Sequence, residues 1–136
     1  MFKTVLFPID QSREAREAAE VVIEIVRKYA SRLVLLSVVE AEDSAAPPTT
    51  EPMASPEKVA QLLADAQLLF SGQGIQTETM EQEGQPAFVI CDVADEIGAN
   101  LIIMGCRGLG LTDEGATESV TNRVINLAPC PVLVVP

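Results

Sequence analysis

The sequence predicts an α/β protein, a single open five-stranded parallel sheet with helices on both faces, spanning residues 1–136 as one domain. Three observations predict it. Four apolar runs are nearly continuous, which suits strands buried on both faces rather than half-exposed strands that would alternate. The segments between most of them carry apolar residues at the helical period. The two kinds of segment follow one another as βαβαβαβαβ, an order that right-handed crossovers turn into a parallel sheet covered on both sides. A chain of 136 residues has room for one such core and not for two.

The first strand is Val5-Leu6-Phe7-Pro8-Ile9, ending at Asp10. Ser12 is placed to cap a helix whose apolar positions Ala15, Ala18, Ala19, Val22, Val26 and Tyr29 keep the i, i+3, i+4, i+7 spacing. Arg27 and Lys28 sit in its last turn, where cations complement the helix dipole. Leu33 to Val39 repeats the buried-strand pattern. Residues 40–57 then carry five acids, four prolines and no base, and read as a flexible acidic, proline-rich loop within the domain. Pro56 suits the first turn of a helix burying Val59, Leu62, Leu63, Ala66 and Phe70, stopped by Gly72 and Gly74.

Ile75 to Met80 alternates and reads as an edge strand. Pro86 opens a third helix carrying Phe88, Val89, Val93 and Ile97, and Gly98 closes it. Leu101 to Met104 is a further buried strand, followed by a glycine-rich loop from Gly105 to Thr117. Ser119 is placed to cap the last helix, with Val120, Val124 and Leu127 on its apolar side. Pro129 and Pro131 end it before the strand Val132 to Val135.

Composition narrows the function. Nine bases against twenty acids give a net charge of −11, a surface that repels nucleic-acid phosphates and anionic membranes. With no histidine, the Ser-His-Asp arrangement and every His-containing metal site drop out. Cys91, Cys106 and Cys130 show no CxxC pairing and read as reduced, small apolar side chains; only Cys106, beside Arg107, has a thiolate-stabilising neighbour. The first apolar run is too short for a secretory signal and none approaches the roughly 18 residues of a membrane span, so the expected location is the cytoplasm. The charge is also uneven. Residues 40–106 hold twelve acids and one base, which accounts for the whole −11, while residues 1–39 and 107–136 sum to zero.

In open α/β sheets, ligands bind beyond the carboxyl ends of the strands where the strand order reverses. Two strand ends carry suitable groups: Pro8-Ile9-Asp10, and Gly105-Cys106-Arg107-Gly108-Leu109-Gly110. If those strands are neighbours at the reversal, the order is 3-2-1-4-5; the spacing also admits 2-1-3-4-5. Gly105 and Gly108 let the backbone approach an anion, Arg107 supplies a fork of donors, and the helix after Ser119 points free N–H groups at the same mouth. Together these describe a phosphate cradle, although for the glycines alone a tight turn is the simpler explanation. The loop is neither a Walker motif nor a dinucleotide fingerprint.

The start Val5-Leu6-Phe7-Pro8-Ile9-Asp10 and the blocks Gly105-Cys106-Arg107-Gly108, Ser119-Val120-Thr121 and Ala128-Pro129-Cys130-Pro131-Val132-Leu133-Val134-Val135 resemble the universal stress protein family. The resemblance covers essentially the whole chain, and the last block is its most specific part. It implies a Rossmann-like sheet in the order 3-2-1-4-5 and a homodimer joined through strand 132–135. It also implies an adenine nucleotide (ATP, ADP or AMP), with Mg²⁺ as an optional companion, and at most slow ATP hydrolysis. Pro8, Ile9, Asp10 and Val38 would line the adenine and ribose. Met104, Gly105, Arg107, Gly108, Ser119, Val120 and Thr121 would face the ribose and phosphates. The ATP-binding branch of the family uses Gly-x-x-Gly, nine residues, then Gly-Ser/Thr; here Gly105, Gly108 and Ser119 match, but Glu118 stands where the third glycine belongs. A carboxylate about 4 Å from a phosphate charge costs roughly 4 kcal/mol at an effective dielectric near 20, close to three decades of affinity.

Two functions follow as expectations. The first is a regulatory protein of stress response or signalling that binds an adenine nucleotide with little or no chemistry, because no base–nucleophile pair can be assembled around Asp10. The second is an interaction module that binds no nucleotide and acts through its dimer surface and the 40–57 loop; Glu118 is its support.

Overall fold

The computed structural model describes residues 2–9, 13–40, 56–105 and 120–136. Its strands are β1 (Thr4–Pro8), β2 (Arg32–Glu40), β3 (Thr77–Gly84), β4 (Leu101–Gly105) and β5 (Val132–Val135). Its helices are α1 (Arg13–Tyr29), α2 (Pro56–Gly72), α3 (Pro86–Ile97) and α4 (Val120–Leu127). All five strands are parallel, in the order β3-β2-β1-β4-β5, which decides between the two orders that the spacing admits.

The near-continuous apolar runs are explained by burial on two faces. Val5, Phe7, Leu33, Leu35, Val39, Leu101 and Ile103 join one core with Val22, Val26, Val59 and Phe70 of α1 and α2. The alternate residues Leu6, Val34, Leu36, Val38, Ile102 and Met104 join a second core with α3 and Val124 of α4. Period-2 side chains on a strand covered on both sides leave no position for a polar residue, and Ser37 is the exception discussed below.

Helix ends follow the local chemistry. Pro86 sits in the first turn of α3, and Gly98 closes the helix in the left-handed region (φ 65°), with its N–H reaching the carbonyls of Ala94 and Asp95. Gly84 precedes the helix at φ 147°, where a Cβ would stand 2.8 Å from Val89 Cγ2, so the turn into α3 requires glycine. Ser12, Ser119 and most of the 40–57 loop lie outside the described residues; Glu40 belongs to β2, and Pro56 and Glu57 to α2.

Three expectations need correction. The edge strand runs over Thr77–Gly84 rather than Ile75–Met80, pairing residue for residue with Leu33–Glu40 of β2. At a sheet edge the backbone ladder continues where the side chains of Glu81, Gln82 and Glu83 are exposed, so apolar alternation ends before the strand does. On α3 the buried arc is Ala87, Ile90, Cys91, Val93 and Ala94, and Phe88 is 51% exposed, because the small residues let the helix lie close to the sheet. Tyr29 and Leu127, expected on apolar faces, are both at least one-third exposed at helix C-termini; Tyr29 packs edge-on against Phe2.

Candidate functional site

The strand order reverses between β1 and β4, and both neighbours of β1 are parallel to it. Pairing of β1 with β2 continues through Pro8↔Leu36, whereas pairing with β4 stops after Leu6↔Ile102. Pro8 supplies the cause. The Thr4 carbonyl accepts from Asn100 on the β4 side, and the Ile9 N–H donates to the Leu36 carbonyl on the β2 side, 2.8 Å away. Main-chain groups alternate along a parallel strand, so position 8 faces β4, and proline has no N–H to donate there. The sheet therefore splits at its carboxyl end between β1 and β4, the place where ligands enter folds of this type.

The described candidate residues gather at this split. Val38 and Met104 are buried in the core beneath α3 and α4, and Val120 packs against the same cluster. Pro8, two residues beyond Leu6, takes that face too. Ile9 points to the opposite face with Phe7, so its side chain belongs to the α1–α2 core and only its main chain borders the split. Thr121, 7% exposed, donates its hydroxyl to the Gly105 carbonyl at 2.9 Å. This bond joins the first turn of α4 to the end of β4 across the intervening glycine-rich segment. The positive dipole end of α4 is thereby held beside the strand ends. Asp10, Arg107, Gly108, Glu118 and Ser119 lie outside the described residues.

Ser37 is a residue that the sequence reading passed over. It is fully buried, and its hydroxyl donates to the Ile9 carbonyl at 3.3 Å. Together with the Ile9–Leu36 bond it pins the main chain one residue before Asp10. Its signal was present as the one polar residue in the run from Leu33 to Val39.

Among the described residues no group of three or more Cys, Asp or Glu side chains converges as a metal site requires. Cys91 and Cys130 are free thiols, and burial pushes both above the usual thiol range, Cys91 being raised further by Asp92 and by Cys130 itself. Both belong with the α3–α4 core rather than with the split. No helix among the described residues is long and apolar enough to cross a membrane.

The sheet order and the split at its reversal define a doubly wound, Rossmann-like α/β protein. More particularly, the chain belongs to the universal stress protein family, whose family model matches residues 1–136. It is 62% identical over 136 residues to universal stress protein Sll1654 of Synechocystis, covering all of this chain and 87% of that one. Among solved structures it resembles universal stress protein UspA from Lactobacillus plantarum, with a TM-score of 0.76 and 26% identity over 99% of this chain and 98% of that one. Two structures at 20% identity share the fold. The universal stress protein from Archaeoglobus fulgidus in complex with dAMP has a TM-score of 0.73 over 99% and 98% of the two chains. A universal stress protein family member from Arabidopsis thaliana with AMP bound has a TM-score of 0.65 over 98% and 90%.

Proposed function

We propose that this chain is a cytoplasmic regulatory protein that binds an adenine nucleotide where β1 and β4 part. The observation that carries the reading is the split itself. It opens at the one reversal of strand order, bordered by Pro8, Val38 and Met104 on one face, with α4 tied to Gly105 by Thr121. The AMP and dAMP complexes of family members support an adenosine ligand. Asp10 would accept from the ribose or base. Gly105, Gly108, Arg107, Ser119, Val120 and Thr121 would cradle the phosphate end. Glu118, in the place of the motif glycine, disfavours a long phosphate tail unless Mg²⁺ bridges it, so AMP is expected to bind more tightly than metal-free ATP.

Calorimetry with ATP, ADP and AMP, each with and without Mg²⁺, tests the reading. Micromolar binding of at least one of them supports it. Silence from all of them up to millimolar overturns it and leaves the interaction-module reading that Glu118 also supports. Glu118→Gly should raise metal-free ATP affinity by at least tenfold.

A homodimer belongs to the same proposal. β5 is the last strand of the sheet, four apolar residues all half-buried, with an unpaired edge that a second copy would cover. Sedimentation as a monomer at tens of micromolar would refute it.

A further inference from the structure

A second concavity lies on the opposite face of the sheet from Val38 and Met104. α1 packs on β4 and β5, while α2 packs on β2 and β3, so the two helices stand apart above β1. Between them is a cavity of about 810 Å³, within the roughly 300–1,000 Å³ usual for small-molecule sites. Phe7, Ile9 and Phe70 lie beneath it, buried in the core that α1 and α2 share, the two phenylalanine rings meeting edge-on at 6.1 Å. Ile23 of α1 and Leu62 and Leu69 of α2 line its walls, and Leu69 is 49% exposed. Large apolar side chains on two facing helices thus border the cavity, and at its far end Arg27 of α1 reaches across to donate to Gln73 at 2.7 Å. The lining on α2 runs from Lys58 to Phe70, roughly 18 Å at 1.5 Å per residue, and continues to Gln73 just past the helix, so the cavity is a trough along the helices rather than a round pocket.

Charge along the trough is ordered. Lys58, the one base among residues 40–106, lines it from the first turn of α2, where the helix dipole also favours an anion. Glu20 and Asp65 line it as well; Asp65 lies seven residues further along α2, roughly 10 Å away, and accepts from Gln61 at 2.9 Å. An anionic group is therefore favoured at the Lys58 end and disfavoured in the middle, where only an uncharged chain passes without repulsion.

We infer that the trough between α1 and α2 binds an unbranched amphiphile with an anionic head, of the class of a long-chain fatty acid. Its carboxylate sits at Lys58 and its methylenes run between Ile23, Leu62 and Leu69, above the buried rings of Phe7 and Phe70. This site is separate from the nucleotide reading, which concerns the split at the other face.

The probe is cis-parinaric acid, a fluorescent polyene fatty acid, displaced from the purified chain by palmitate, octanoate, hexadecanol or hexadecyltrimethylammonium. Palmitate should displace it at micromolar concentration, and octanoate should be at least a hundredfold weaker, since each buried methylene contributes about fourfold. Lys58→Glu should weaken palmitate about five- to tenfold and leave hexadecanol unchanged. Leu69→Glu should weaken both at least tenfold. Both side chains are exposed, and thermal unfolding of the variants checks that the fold persists. Thr121→Val, which acts at the other face, should leave palmitate binding unchanged, so the two readings fail separately. The inference is overturned by no displaceable fluorescence up to the solubility limit, by Lys58→Glu and Leu69→Glu both binding as the parent does, or by the ammonium amphiphile outcompeting palmitate.

Discussion

Replacing Thr121 by valine removes a hydroxyl and almost no volume, so it isolates the bond that ties α4 to β4. The hydroxyl donates to the Gly105 carbonyl at 2.9 Å from a residue that is 7% exposed. A typical intramolecular hydrogen bond contributes about 0.5–1.5 kcal/mol net, and an acceptor left unsatisfied in a dry interior costs about 1–3 kcal/mol. Gly105 is only half-buried, so water reaches its carbonyl after the change and the lower figure applies. The expected loss is about 1 kcal/mol, which for a domain of this size lowers the unfolding midpoint by about 3–5 °C. Releasing the start of α4 also misplaces the positive end of its dipole, and AMP affinity should fall by about three- to tenfold. Differential scanning calorimetry and isothermal titration on the same preparations read both effects. Thr121→Ser keeps the hydroxyl and should restore both. A valine variant indistinguishable from the parent, or a serine variant as impaired as the valine one, would show that the bond does not position α4.

Three other perturbations test the fold around the sites. Phe70→Ala should cost about 3–5 kcal/mol in urea denaturation, because the ring is fully buried and loses its edge-on contact with Phe7. Gly84→Ala should cost about 1–3 kcal/mol, since its Cβ would meet Val89 Cγ2 at 2.8 Å and the backbone there has positive φ; a variant as stable as the parent would mean that the turn into α3 shifts freely. Cys91 and Cys130 should react with iodoacetamide at pH 8 more slowly than free cysteine, because burial keeps both protonated. Their folded values lie above the ordinary 9.0, so their contribution to stability is intact below about pH 9 and lost as pH rises through the folded values. Replacing both with alanine should flatten that alkaline decline.

What could be read in advance followed the strength of the local signal. β1, β2, β4 and β5 were legible because burial on two faces leaves an unbroken apolar run. α3 was legible at its ends, where Pro86 and Gly98 have backbone reasons to be there, and in Val89, Val93 and Ile97 of its packed side, but not in the exposure of Phe88. Phe88 is more apolar than Ala87, yet the helix turns alanine inward because closeness to the sheet, not hydrophobicity alone, selects the face. β3 was mislaid by four residues at its far end, since an edge strand is held by main-chain bonds to β2 that carry no side-chain signature.

By itself the sequence determined the βαβ alternation, the two apolar faces of each central strand, the helix boundaries set by Pro56, Pro86 and Gly98, and the family resemblance carried by its first and last blocks. Spacing left two strand orders open and the resemblance implied 3-2-1-4-5; the tertiary structure has that order and shows what it creates. When β1 lies between β2 and β4, the missing N–H of Pro8 becomes a gap in the ladder on the β4 side, and on the β2 side Ser37 lies against Ile9. The same holds for the trough. Its walls come from α1 and α2, segments separated in the chain by β2, and no local pattern records that two helices seated on different strand pairs leave a groove between them above the buried Phe7.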